Sequence, residues 1–368
     1  MKIKKEDLGF LEVFSMLADK SPLGDKLQIT VDGGKAIFCL FGTTATAVKE
    51  LTITDQNEKF DLAFPVVEFE SLINHYPENA LIEFTQDRKI SHAKGASYSF
   101  ENIDVIFPPI GNMFSKIQNR ESEAEFFITL NDMEKLKKVI PFIGIDFLEF
   151  VTLNQGHFVA LDNVVVGFSN SKNQAKEMLY FPKTICDVWI KYFSGDDNDQ
   201  QLKVYYFIND NTYWWLFEIK GVFVGVADPT KKAFPDVFKD RFKQEYDHQQ
   251  MVSVDSNDLS SVLNRMQVVA QHNENNRLFF TVVDGALKIE SKDFNKSSEF
   301  VKIIDDNANL KNEEFSLGCT NLMNIIDQLD SEKILFYIKP QSEGKAKAVK
   351  ISNSDNSIYF AHQLRHVR

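Results

Sequence analysis

The sequence predicts an α+β protein of three similar domains, each with two helices packed on antiparallel sheets. Three observations carry this expectation. A helical pattern recurs at intervals of 125 and 126 residues, opening at Asp7, Asp132 and Asp258. A strand–turn–strand signal follows each occurrence. Phe107-Pro108 and Phe234-Pro235 stand 127 residues apart, each just after a run rich in strand formers. The interval is far too long for a solenoid repeat, so each copy should carry its own core.

The elements follow in order. The first helical pattern places Leu8, Leu11, Phe14, Leu17 and Ala18 at helical spacing; the second uses Met133, Leu136, Val139, Ile140 and Ile143. The third uses Leu259, Val262, Leu263, Met266, Val269 and Ala270. Each opens with an Asp directly before its first apolar anchor, where a carboxylate suits the positive end of the helix dipole. Hairpin signals come next, at Asp32-Gly33-Gly34, Asn154-Gln155-Gly156 and Asp284-Gly285. A second helix then starts after Phe64-Pro65 and Phe181-Pro182, with Thr320 or Asn321 as the cap in the third copy. Further strands close each copy. The expected domains are 1–119, 120–245 and 246–368.

Composition bounds the function. A chain of 368 residues suits two or three domains, and 43% hydrophobic residues with 33 Phe supply packed cores. The 41 basic residues against 53 acidic ones give a net charge of −12, which argues against a generic polyanion-binding surface but leaves room for local basic patches. Cys39, Cys186 and Cys319 are odd in number, far apart and in apolar settings; they read as buried thiols in a reducing compartment. The start, "MKIKKEDLGFLEVF", has no continuous apolar stretch, and no run approaches a membrane span, so a soluble, intracellular chain is expected. No phosphate loop, nucleophile elbow, His-Glu-x-x-His or Cys-x-x-Cys occurs. Asp196, Asp197 and Asp199 lack the Gly and Glu of a calcium loop and read as a solvated hairpin tip. "TYWWLFEIKGVFVGV" reads as core strand rather than as a stacking platform for single strands. No enzyme, cofactor or metal is expected.

The order of these segments resembles the bacterial and phage β-type DNA polymerase sliding clamps, the DNA polymerase III beta subunit family, over the whole chain. The local features that carry the resemblance are "FPPI" at 107–110, "FPDV" at 234–237, "VALDN" at 159–163, "VVDGALKIES" at 282–291 and "YFAHQLR" at 359–365. It implies a DNA clamp fold whose two chains close into a ring around double-stranded DNA without reading sequence. It further implies a processivity factor that tethers DNA polymerase, is placed on DNA by a clamp loader, and works in the cytoplasm of a bacterium or an infected host cell. The rivals are a monomeric processivity factor that binds DNA on one face, and an enzyme whose site assembles only in three dimensions.

The resemblance also implies residue roles. Lys135, Lys137, Lys138, Lys183, Lys191 and Arg265 on the helices would face DNA, with Lys20 and Lys26 flanking the loop "SPLG". A hydrophobic pocket for partner peptides would use Leu161, Asn163, Val166, Pro235, Val237, Phe360, His362 and Leu364, with Phe147 and Val151 as floor; Asn163, Val166 and His362 differ in type from common members. Closure of the dimer would join Tyr98 and Phe100 to Val268 and Val269. The bland alternatives are a solvated helix face for any single Lys, and core packing for Leu161, Phe360, Tyr98 and Phe100.

Overall fold

A computed structural model describes residues 1–54, 59–92, 96–99, 126–144, 150–154, 156–162, 164–171, 179–192, 201–209, 212–227, 251–273, 276–292, 296–306, 310, 312–338 and 348–363. Within them the same sequence of elements occurs three times: strand, helix, four strands, helix, three strands. The first repeat runs β1 (Lys2–Lys4), a 3-10 turn (Lys5–Leu8), α1 (Leu11–Leu17), β2 (Lys26–Asp32), β3 (Lys35–Phe41), β4 (Ala45–Thr52), β5 (Lys59–Pro65), α2 (Val66–Asn74), β6 (Leu81–Phe84), β7 (Lys89–His92) and β8 (Ala96–Ser99). The second runs β9 (Phe126–Thr129), α3 (Leu130–Val139), β10 (Phe150–Asn154), β11 (His157–Leu161), β12 (Val165–Asn170), β13 (Leu179–Pro182), α4 (Lys183–Tyr192), β14 (Gln201–Asn209), β15 (Thr212–Ile219) and β16 (Val222–Ala227). The third runs β17 (Met251–Asp255), α5 (Ser256–Ala270), β18 (Arg277–Val283), β19 (Ala286–Ser291), β20 (Ser297–Asp306), β21 (Glu314–Gly318), α6 (Cys319–Leu329), β22 (Lys333–Tyr337), β23 (Ala348–Ser352) and β24 (Ile358–Gln363). The expected domain boundaries fall outside the described residues.

Two compact units form, and they cut through the middle repeat. One contains residues 1–133 and 184–229, the other 134–183 and 230–368. The first unit holds an eight-stranded antiparallel sheet, β5-β2-β3-β4-β16-β15-β14-β9, and a four-stranded sheet, β1-β6-β7-β8. The second holds a twelve-stranded sheet, β13-β10-β11-β12-β24-β23-β22-β17-β20-β19-β18-β21. Each long sheet therefore joins the hairpin strands of one repeat to the closing strands of the next.

Local chemistry sets these elements. The hairpin turns need left-handed backbone, and Gly33, Gly34, Gly156 and Gly285 supply it, with φ between 59° and 82°. The helices bury the expected stripes: Leu11, Phe14 and Leu17; Met133, Leu136 and Val139; Leu259, Val262, Leu263, Met266 and Ala270. Asp132 and Asp258 lie in the first turns of their helices, as expected, and Asp255 caps α5 by accepting from the amides of Asn257 and Asp258. Thr129 and Asp132 cap α3 reciprocally, and the buried Asp132 carboxylate accepts from both the amide and the hydroxyl of Thr129. Helix α6 starts after Gly318 with no side-chain cap, so neither Thr320 nor Asn321 serves. Asp7 lies in the 3-10 turn, since the chain breaks at Gly9 before α1 begins. All three cysteines are buried and none is in a disulfide; burial pushes the Cys39 thiol to about 12 and the Cys319 thiol to about 11. Among the described residues no helix is long and apolar enough to cross a membrane.

Candidate DNA and partner interfaces

The joints between repeats organise the sites. At the first joint β4 pairs antiparallel with β16, Val48 opposite Phe223 and Ala45 opposite Val226. At the second, β12 pairs with β24, from Val165 opposite His362 to Ser169 opposite Ile358. In both, the third hairpin strand of one repeat takes the last strand of the next. Two strands lack this partner among the described residues. β8, the last strand of the first repeat, is the open edge of its sheet. β20, the third hairpin strand of the third repeat, pairs with β19, and on its other side with β17 only from Ile303 onward. Each carries exposed apolar side chains at or beside its open stretch. Phe300 and Ile304 of β20 are 58% and 43% exposed, and Tyr98 of β8 is 49% exposed. Beside β20, Val268 of α5 is 64% exposed, whereas Val269 packs against its own core. Phe100 lies outside the described residues. Phe300 and Ile304 were missed from sequence, although a signal was present: "EFVKII" carries apolar groups on both faces of one strand, with Val301 and Ile303 as the buried set.

Ion pairs flank each internal joint. At the first, Glu12 of α1 meets Lys191 in the last turn of α4, and Lys220 in the β15–β16 turn at 3.4 Å. The Lys191 hydrogen bond, chiefly, holds the Glu12 carboxyl below its ordinary value. Burial first, then the adjacent Glu12, raises the Tyr192 phenol, over whose ring Lys220 sits at 4.2 Å. At the second joint Lys138 of α3 lies 3.6 Å from Asp330, the residue capping the end of α6. Lys135 of α3 is close enough to Asp355, in the β23–β24 turn, to help hold its carboxyl low, after the larger effect of hydrogen bonds from Ser357.

The remaining basic candidates sit as follows. Lys137 pairs with Glu134 one turn back at 2.7 Å. Arg265 makes a forked contact with Glu299, its Nε 2.9 and 3.0 Å from the two carboxylate oxygens. Lys26 pairs with its neighbour Asp25 at 2.6 Å, and Lys183 opens α4 in an exposed position. Lys20 is exposed on a loop that Asp19 staples. The Asp19 carboxylate accepts from the Ser21 amide at 2.8 Å and from the Thr43 amide and hydroxyl at 2.6 and 2.8 Å. Burial opposes that charge, but these bonds outweigh it and keep the carboxyl ionised below its ordinary range. A Cβ on Gly24 would come within 1.9 Å of the Asp19 carboxylate, so the loop requires glycine there.

The peptide-pocket candidates divide. Phe147, Asn163, Pro235, Val237 and Leu364 lie outside the described residues. Val151, Leu161, Val166, Phe360 and His362 fall on the adjacent strands β10, β11, β12 and β24. Strand register separates them: Leu161 opposes Val166 on one face, while Val151, Phe360 and His362 belong to the other. Phe360 is core, 0% exposed and 4.5 Å from the Phe142 ring centre, and a Cβ on Gly167 would meet it at 2.7 Å. The expectation that Phe360 presents a wall to a peptide therefore gives way to core packing. His362 is also buried; its Nε2 accepts from the Gly318 amide at 3.4 Å.

No family model and no curated protein matches the sequence. Solved structures do match the fold. The DNA polymerase III beta subunit from Thermotoga maritima superposes with a TM-score of 0.78 at 14% identity, covering 100% of this chain and 99% of that one. The DNA polymerase III subunit beta from Pseudomonas aeruginosa gives 0.76 at 13%, with 100% of both chains covered. A sliding clamp from Bartonella birtlesii, bound to griselimycin, gives 0.76 at 12%, covering 100% of this chain and 99% of that one. From end to end, this chain has the fold of the DNA polymerase III beta-subunit sliding clamps.

Proposed function

We propose that this protein is a DNA polymerase processivity factor: a homodimeric sliding clamp that encircles duplex DNA and tethers a polymerase. The observation that supports it most is the pair of open strand edges, one beside the exposed Tyr98 and the other beside the exposed Phe300. Two joints use the same strand pairing, and one half of a third such joint is left on β8 and the other on β20. An apolar open edge demands a strand, and a second copy of the chain supplies the right one at each end. The three repeats are read as domains 1–119, 120–245 and 246–368.

A ring needs no catalytic group and no sequence readout; it holds DNA by enclosure and by weak phosphate attraction. Lys20, Lys26, Lys135, Lys137, Lys138, Lys183, Lys191 and Arg265 are proposed to face DNA, and most of them share their charge with acids: Lys26 with Asp25, Lys137 with Glu134, Lys138 with Asp330, Lys191 with Glu12 and Arg265 with Glu299. Such sharing suits sliding, because a lysine that exchanges between carboxylate and phosphate does not grip. Polymerase and clamp loader are proposed to dock by short peptides near the half-buried Val166, beneath which its strand partner Leu161 is packed. The site of action is the cytoplasm, where replicating DNA of a bacterium or infecting phage lies.

Sedimentation tests the proposal. Wild-type protein should run as two chains at micromolar concentration, and Val268→Asp as one folded chain, since its carboxylate would be buried without a partner. A one-chain mass for wild type favours the monomeric factor instead. Changing Lys20, Lys137 and Lys183 to Gln should lower the slope of DNA affinity against salt by about 0.9 for each phosphate left without its cation. An unchanged slope removes these residues from the DNA surface.

A further inference from the structure

The two internal joints use corresponding elements with opposite charge. At the first, the first helix of the repeat carries the acid, Glu12; the end of the next repeat's second helix carries a base, Lys191, and that repeat's last hairpin turn another, Lys220. At the second, the first helix carries the bases, Lys138 and Lys135; the end of the next second helix carries an acid, Asp330, and the last hairpin turn another, Asp355. The open third joint has a different character again. Its helix, α5, exposes Val268, its one basic residue is tied to Glu299, and its strand exposes Phe300 and Ile304.

We propose that this alternation is an address: it fixes which repeat docks on which during folding and ring assembly, within a chain and between copies. Three repeats with the same strand pairing could dock in the wrong order, and misassembly between similar domains is a characteristic failure of repeat proteins. Here each wrong docking of internal joints meets like charges. Helix α1 against the third repeat would bring Glu12 to Asp330 and Asp355. Helix α3 misdocked on the end of α4 would bring Lys135 and Lys138 to Lys191 and Lys220. An apolar joint discriminates against both charged ones, because docking there would desolvate a charge without a partner. Discrimination of this kind comes from repulsion in the wrong complex as much as attraction in the right one. Within one chain the address rests on the fold alone; its part in assembly between copies rests on the homodimeric ring proposed above.

The test separates the address from ordinary stabilisation. Glu12→Lys with Lys191→Glu and Lys220→Glu reverses the first joint, keeps every pair complementary, and gives both joints the same polarity. Adding Lys135→Glu, Lys138→Glu, Asp330→Lys and Asp355→Lys reverses the second joint too and restores the alternation. Each chain is purified native, melted, then unfolded in denaturant and refolded by dilution at micromolar concentration, with native-sized protein and larger species counted by size. The half-reversed chain should melt near wild type yet refold to native size with a yield lower by about twofold or more, the scale of exposed charge pairs. The missing material should appear as larger species, and the fully reversed chain should regain the wild-type yield. A half-reversed chain that refolds as well as wild type overturns the proposal. So does a fully reversed chain that refolds no better than the half-reversed one.

Discussion

Strands β12 and β20 hold the same place in successive repeats, third in a run of four, with a first helix beneath. β12 is covered by β24 along Val165–Ser169, and its Val165 and Phe168 are buried. β20 keeps the same apolar character but turns Phe300 and Ile304 to solvent. The difference lies not in the strands but in what covers them: the last strand of the following repeat closes over β12, and among the described residues no such strand lies on β20. Exposed apolar residues are ordinary when scattered, but Phe300 lies on the unpaired stretch of β20 and Ile304 at the bulge where pairing with β17 begins, which is the kind of edge that another strand can cover.

The comparison breaks most sharply if Phe300 and Ile304 are both changed to Asp. The dimer should weaken at least about 100-fold, because each carboxylate would be buried unpaired at the closing joint, while the chain keeps its fold. Concentration-dependent sedimentation reads this, and circular dichroism checks the fold. The covered joint should answer differently. Phe360→Ala empties core space next to Phe142 and should cost about 3–5 kcal/mol of stability, seen as a lower denaturation midpoint. Gly167→Ala presses a methyl into the Phe360 ring and should cost about 1–3 kcal/mol in the same assay.

The smallest effect concerns charge. Glu12 is held below its ordinary value of 4.5, so its contribution is present above that pH and disappears as pH falls through the lower folded value. Glu12→Gln should be slightly less stable than wild type near neutral pH, and the gap should close as the solution is acidified below 4.5. High salt should narrow the gap as well, since the pair is exposed. A gap that persists at low pH would mean that Glu12 stabilises by packing rather than by charge.

Much of this fold could be read from the sequence because its signals are local. Glycines that need positive φ, apolar stripes at helical spacing and Phe-Pro pairs each act within a few residues, and three copies reinforce each signal. The features that escaped were set by partners far along the chain. Lys138 looks like a free cation on a helix until Asp330 is brought beside it. Phe360 looks like a tail residue until β24 is seen between β12 and β23, with Gly167 leaving room for its ring. Tyr98 could be named as an edge residue from its strand; "EFVKII" marks Phe300 and Ile304 as apolar on a second face, but that this face is left exposed depends on strand neighbours far along the chain. The expected cap of α6 failed for a milder reason: several polar residues stand near that helix start, and backbone geometry places Thr320 and Asn321 inside the helix.

Enclosure of DNA is the central claim, and topology tests it more directly than affinity. The protein is threaded onto linear duplex at low salt, the ends of half the sample are then blocked with bulky groups, and both halves are washed at high salt. A ring should stay on the blocked duplex and be lost from the free-ended one, because high salt removes phosphate attraction but not a topological link. Equal loss from both duplexes would contradict enclosure and leave a protein that holds DNA only by charge.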